Sequence, residues 1–466
     1  MSIRNGVLHV RTGPRPGFLF VGIVLFPVLA WLGYNYFDRP LLPAAQALLD
    51  MPAQKLPDAE NLFLAMLALP VAGDESPHER GAAALAAYDA ARARGPAPKT
   101  YGEALNRPVA AFDEGAVRLC SAGNQEGAYA CMRDSVAQRA AIEQLFVKYW
   151  PLAQRYEGLG QYPRYSDPTV PTTDAPVANA TAFLLSRLEL SALALAAADG
   201  AGDAAAVGLA SSATIWRRML AAQDISLIDK LMAMRSLAAH TLLASEFLRS
   251  LPLSAPGISA IEGMLTPLTE PERSLAGPLG KEFRMQAASW AALLDPEGEA
   301  AQQDFAEQPS WWFRMLAKRN ASINLSYGEL ERVLAVEQRG CVAVNAAVQV
   351  ALQRPAPGAA DLPWHAYFYN PMGHVLHTTM GGGDLYLQYL GRQCNLLALQ
   401  GMVGLQLELR RAGLSPEATA AAVESSHFRD PNTGKAYAYD PVARTLSFTF
   451  VGKQKEFLSP LPLAAP

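Results

Sequence analysis

Residues 374–384 read HVLHTTMGGGD: two imidazoles three positions apart, a run of three glycines and a closing carboxylate. Three kinds of chemistry use such groups. His374, His377 and Asp384 would supply the open three-ligand set of a catalytic zinc. Gly381, Gly382 and Gly383 ahead of a helix would offer backbone N–H groups to a phosphate. In the third reading the glycines make a turn and Asp384 caps the helix that follows. A metal needs its nitrogens on rigid structure, and a glycine-rich segment is poor support. A carboxylate at that helix N-terminus would also repel an anion. The spacing therefore favours the turn and cap. His374, His377 and Asp384 stay as candidate metal ligands, and no cofactor is assigned.

Other mechanisms leave sharper marks, and these are missing. There is no G-x-S-x-G, no serine followed three positions later by lysine, no H-E-x-x-H, no C-x-x-C and no phosphate-loop motif. Glu60, Glu331 and Glu337 stand on predicted helices with no acidic partner at a catalytic spacing. A net charge of −4 and a pI near 6.0, with no basic block, exclude a nucleic-acid partner of the usual kind.

The elements that would position these residues are mostly helices. Apolar residues recur at three-to-four spacing over 84–95, 131–156 and 179–198. They recur again over 204–222 with Asp203 as N-cap, and over 226–250. Further helices are expected at about 268–295 and 311–354. A long one follows Asp384, with Arg410 and Arg411 in its last turn and Gly413 as its C-terminal cap. Ser415-Pro416-Glu417 opens another. The prolines of 161–177 mark a surface connection. Residues 435–451 alternate as a β-hairpin around Asp440-Pro441, which should pack on the helices. The expected fold is mainly α: helical hairpins stacked on one another, with a small β-hairpin at the C-terminus.

The first forty residues speak to location. Residues 16–37, PGFLFVGIVLFPVLAWLGYNYF, carry no charge over a length that spans a bilayer, with Trp31, Tyr34, Tyr36 and Phe37 at the downstream end. Arg4, Arg11 and Arg15 precede the stretch, so its N-terminus is expected in the cytoplasm. A cleaved signal peptide is the rival reading. The apolar run is long for one, and no small-residue cleavage site follows it directly. No second stretch is expected to span. The expected organisation is a cytoplasmic tail (1–15), a transmembrane helix (16–37), a helical extracytoplasmic domain (38–430) and a C-terminal β-hairpin and tail (431–466).

Four cysteines suit an oxidising compartment. Cys120 and Cys131 bracket a ten-residue loop and are expected to pair. Cys341 and Cys394 lie in two predicted helices and pair only if those helices touch; otherwise they are buried thiols. Trp311, Trp312 and Phe313, beside Arg314, Lys318 and Arg319, resemble an interfacial helix resting on anionic lipid, although core packing is the commoner role for such a triplet. Trp364, Tyr367, Phe368 and Tyr369 are expected to pack.

ENLFLAML at 60–67, the Cys120/Cys131 pair, WRRML with SLIDKLMA, NPMG at 370–373 and the DPNTGKAYAYD tail together resemble a group of uncharacterised proteobacterial single-pass inner-membrane proteins. That resemblance implies an envelope location and no particular chemistry. The reading that follows is a non-enzymatic interaction or assembly protein, held in the bilayer by residues 16–37 and meeting an envelope protein partner. The alternative is an envelope enzyme, such as a metal-dependent hydrolase, with a dispersed site near 364–384. A ligand sensor is weaker still, because fifteen N-terminal residues are too few for a signalling domain.

Overall fold

The computed structural model describes residues 16–52, 54–71, 73, 75–93, 117–121, 130–170, 179–294, 310–354, 362–379, 382–452 and 460–463. Arg4, Arg11, Arg15 and Gly381 lie outside the described residues. The fold is mainly helical with one small antiparallel sheet.

α1 (Pro16–Tyr34) is followed by α2 (Pro43–Leu49), whose first-turn proline loses no helical hydrogen bond. α3 (Leu62–Leu67) starts at Asn61, whose side chain accepts from the Phe63 N–H at 3.1 Å, and every residue of it is buried. α4 (Pro77–Arg92) opens with a capping box between Ser76 and Glu79. A Cβ on Gly81 would lie 1.9 Å from the Leu64 carbonyl oxygen, so only glycine lets α3 and α4 meet this closely.

The periodic stretch 131–156 is three helices rather than one: α5 (Cys131–Ala137), α6 (Arg139–Lys148) and α7 (Trp150–Glu157). The backbone leaves the helical region at Gln138 and Tyr149, and Pro151 in the first turn of α7 accounts for the second break.

α8 (Asn179–Ala198), α9 (Gly202–Ala221) and α10 (Leu227–Ser250) come as expected, with α9 packed on both neighbours. Asp203, however, is inside α9. Its carboxylate instead accepts from the Ser254 N–H at 2.9 Å, ahead of α11 (Ala255–Met264). α8 is also long and apolar enough to cross a membrane, contrary to the expectation of no second such stretch. Most of it is buried inside the body, so it is a core helix.

α12 (Glu270–Arg273) and α13 (Ala276–Leu294) follow. The expected helix over 311–354 is again three: α14 (Trp311–Leu316), α15 (Arg319–Glu337) and α16 (Cys341–Gln353). Gly340, at φ 82°, makes the second break.

α17 (Pro371–Thr379) carries both His374 and His377, which are therefore helical rather than part of a loose glycine segment. α18 (Gly382–Ala412) starts two residues before Asp384, which sits in its first turn and not at the cap. Gly413, at φ 57°, closes it as expected, and α19 (Pro416–Ser425) is capped by Ser415.

β1 (Ala438–Asp440) and β2 (Thr445–Ser447) form the expected hairpin, with Tyr439 opposite Leu446. A third strand not foreseen, β3 (Leu461–Pro462), pairs with β2. The Asn395 side chain ties this tail to α18: it donates to the Val451 carbonyl and accepts from its N–H, both at 2.9 Å, as a strand neighbour would.

Two main cores result. The larger joins α3, α8, α9, α10, the C-terminal half of α18 and the sheet. The smaller joins α13, α15, α16 and the N-terminal half of α18, with Ala45 of α2. At 31 residues α18 is about 46 Å long and passes through both.

Candidate functional site

The five residues that follow α1, Asn35 to Arg39, are polar or aromatic, and with Trp31 and Tyr34 of its last turn they meet the body rather than trailing from it. Asn35 is fully buried. Its Nδ2 donates to the Phe368 carbonyl at 2.7 Å and its Oδ1 accepts from the Asn370 N–H at 3.0 Å. Trp31 Nε1 donates to the Tyr367 carbonyl at 3.1 Å. The Tyr369 hydroxyl donates to the Phe37 carbonyl at 3.2 Å and accepts from the Arg39 N–H at 2.9 Å. The Arg39 guanidinium lies 4.3 Å from the centre of the Tyr369 ring and donates to the Tyr34 hydroxyl. Asp38 accepts from the N–H groups of Asn320 and Ala321, at 2.7 and 3.2 Å, and so caps α15 from a distant part of the chain.

Local chemistry explains the receiving side. Asn370 adopts φ 55°, a left-handed conformation that asparagine tolerates, just ahead of Pro371 at the start of α17. Its Oδ1 accepts from the Lys318 N–H at 2.7 Å, and its Nδ2 donates to Ser322 Oγ at 3.1 Å. A Cβ at Gly373 would come within 2.3 Å of both Asn370 and Ser322. The sequence NPMG is thus the geometry of this corner: a left-handed turn, a helix start and a close approach. Burial pulls the Lys318 ammonium below its usual range, partly offset by Asp38, and its Nζ reaches the Tyr36 carbonyl at 3.5 Å.

Around this dock the large aromatics face outward. Trp364 is 75% exposed, and Phe368 and Tyr367 are about half exposed. Their expected role in packing holds only for Tyr369, which is buried. Tyr36 and Phe37, with ring centres 5.2 Å apart, are both more than 70% exposed. Trp311 and Trp312 stack at 3.8 Å and are also exposed, so the triplet is not core, and their helix α14 packs on α17. Above the dock α1 shows Leu25, Phe26, Val28 and Leu29 to the outside.

The candidate metal ligands do not converge. Asp384 lies 3.8 Å from Arg332, which is paired with Glu329. His377 is pushed below its usual range by burial, against the pull of Glu329. His374 is pushed the same way by burial and by His365 and His377, with the His365 ring 6.0 Å away. Among the described residues no group of three His, Cys, Asp or Glu side chains could hold a metal. Both cysteine pairs, Cys120–Cys131 and Cys341–Cys394, are disulfides, with Cα atoms 5.3 and 5.5 Å apart. The residues between Cys120 and Cys131 lie largely outside the described ones. α16 and α18 do touch, which is what the second pair required.

Two buried polar groups escaped the sequence. Beside a cavity of about 500 Å³, bordered by Leu41, Leu49, Arg319 and Ile323, Asp224 pairs with Arg284 at 3.2 Å and accepts from the Gln54 N–H. Lys281 pairs with Asp167 at 2.6 Å and lies 3.8 Å from Asp224. Opposite charges match there, so the carboxylates beside the cavity are held by Lys281 and Arg284.

In the larger core, His240 Nδ1 donates to the Ser236 carbonyl at 2.7 Å, so Nε2 faces Ser212 Oγ at 3.0 Å as an acceptor. Ser212 also contacts Glu189. One hydroxyl proton cannot serve both neighbours, so both contacts are hydrogen bonds only when Glu189 is protonated. Burial agrees: it lifts the Glu189 carboxyl to about 7 and lowers His240 to about 4. A catalytic triad would place the carboxylate on the histidine, and here it sits on the serine. Ser212 and His240 are buried. The set is a core network. Signals for it were absent because its members lie on three helices with no shared motif.

No protein-family model, curated protein or solved structure matches this chain.

Proposed function

We propose that the chain is a single-pass inner-membrane protein of the cell envelope, with its N-terminus cytoplasmic, its helical body periplasmic and a non-enzymatic interaction or assembly role. The observation that carries this reading is the combination at α1. Its described apolar side chains project away from the body, while its foot is fixed to the body by Asn35, Trp31 and Asp38. A helix that belonged to the core would bury those side chains, as α8 does. At 19 residues α1 is about 28 Å long, close to the hydrocarbon thickness of a bilayer. Two disulfides agree with an oxidising compartment beyond the membrane. The uncharacterised proteobacterial single-pass proteins that the sequence resembles have the same plan.

An interaction role is supported by the buried polar groups beside the cavity and around Ser212, which are bonded to one another rather than set around a metal, and by the stacked helices, whose outer faces suit a peptide or protein partner. The test is crosslinking in living cells followed by purification through the C-terminus. A reproducible envelope protein, lost when the body is deleted and α1 kept, is the expected result. Recovery of the chain alone, together with an export-dependent reporter that stays silent when fused after residue 100, would overturn both the partner and the topology.

A further inference from the structure

We infer that the exposed aromatics around the dock, Trp364, Tyr367 and Phe368 with Tyr36 and Phe37, lie in the headgroup layer of the bilayer and seat the body on the membrane surface. This rests on the reading of α1 as a membrane anchor.

The level of these residues is fixed by hydrogen bonds. Trp31 Nε1 on the Tyr367 carbonyl, at 3.1 Å, and Asn35 on the Phe368 carbonyl, at 2.7 Å, hold the 364–368 turn beside the last turn of α1. A helix of about 28 Å fills the hydrocarbon layer, so its last turn stands at the boundary between acyl chains and headgroups. Whatever is bonded to that turn stands there too. Tryptophan and tyrosine favour this layer because their rings are apolar and their polar edges stay wet.

Composition agrees with position. Exposed aliphatic side chains are scattered over the body, but among the described residues every largely exposed aromatic except Trp150 belongs to α1 or its foot, to α14 or to the 364–368 turn. A cation and an anion accompany them. Arg39 is exposed and lies on the Tyr369 ring, within reach of lipid phosphates. The acidic member, Asp38, is exposed too, but its carboxylate is engaged by the amides that open α15, whose partial positive charge offsets it. The stacked Trp311 and Trp312, on the helix that packs against α17, widen the same apron.

The occupant is therefore lipid, and the consequence is orientation. A body joined to its anchor by a loose linker would swing, whereas one docked at Asn35 and resting on an aromatic rim presents a fixed outward face.

The full chain reconstituted in phosphatidylglycerol-containing vesicles gives the test. Flotation with the vesicles and resistance to alkaline extraction report the anchor. Seating is reported by the Trp364 emission, taken as wild type minus Trp364→Phe, with lipids brominated at shallow acyl positions. At least twofold quenching of the Trp364 component is expected, with the Trp150 component unchanged. A chain that floats but whose Trp364 is reached by aqueous iodide and not by bromine overturns the seating and leaves the anchor standing. A chain that does not float overturns both.

Discussion

The two cores share one helix and are otherwise built to different ends. Along its C-terminal half, α18 meets α10 with its polar groups turned inward. Gln406 accepts from Ser245 Oγ at 2.6 Å and donates to the Ser245 carbonyl, and Arg410 caps carbonyls at the end of α10, including Leu251 at 2.7 Å. Along its N-terminal half it borders the small core, which is pinned by Cys341–Cys394 and adjoins the cavity and the dock of α1. Two tryptophans mark the contrast, although Trp290 is buried in the smaller core as well. Trp216 is 0% exposed, with its N–H on Tyr156, while Trp364 beside the dock is three-quarters exposed. One end of the molecule is closed by its polar groups, and the other uses them to hold something from outside.

That contrast can be broken in graded steps. Trp216→Ala should cost about 4 kcal/mol in urea unfolding, from lost burial together with the hydrogen bond to the Tyr156 hydroxyl. A cost below about 1 kcal/mol would mean the large core is not tightly packed there. Replacing both Cys341 and Cys394 by alanine should cost about 4 kcal/mol, against about 3 for Cys120 and Cys131, because the first bridge closes 53 positions and the second 11. The reverse order would place the greater constraint in the large core. Asn35→Ala should cost about 2 kcal/mol and speed amide exchange at residues 368–370, leaving α9 and α10 protected. Uniform loss of protection would deny that the dock is a local unit.

A smaller effect should come from Glu189→Gln, and its sign depends on pH. The folded carboxyl titrates near 7, above the ordinary 4.5, so the folded state holds the proton longer than the unfolded state does. Stability supplied by that proton is present below about pH 4.5 and is lost as pH rises through 7. The amide does not titrate. Glu189→Gln should match wild type near pH 4 and exceed it by about 1–2 kcal/mol at pH 8. Equal stability at both pH values would mean that Glu189 is ionised in the core. Smallest of all, Trp364→Ala in detergent should shift stability by less than about 0.5 kcal/mol, as an exposed side chain should.

Helices were legible because apolar spacing survives in any context, and so were Gly413, Ser415 and the pairing of Tyr439 with Leu446. Breaks were not. Gln138 and Arg339 look like any helical surface residue, and only their backbone angles or the neighbouring Gly340 reveal the stop. The Cys120–Cys131 bridge was visible from its short loop, whereas Cys341–Cys394 needed the contact of α16 with α18. Asp203 was recognised as a cap, but for the wrong helix, because its partner Ser254 is a neighbour in space only. The dock shows the limit most clearly. Asn35 and Asn370 are single polar residues with no periodicity, and what joins them is a fold 335 positions long.

That separation has a bearing on how the molecule is made. Residues 31–39 leave the ribosome well before their partners at 367–370, with 336 positions between Trp31 and Tyr367 and 335 between Asn35 and Asn370. Non-local contacts of this kind close late. Until then Asn35 and Trp31 lack their partners at 367–370, and only the segment after α1, through Asp38 and Leu42 on α15, can tie the growing body to that helix. A chain cut short before residue 367 thus keeps the Asp38 tie and lacks the two bonds that hold the end of α1 itself.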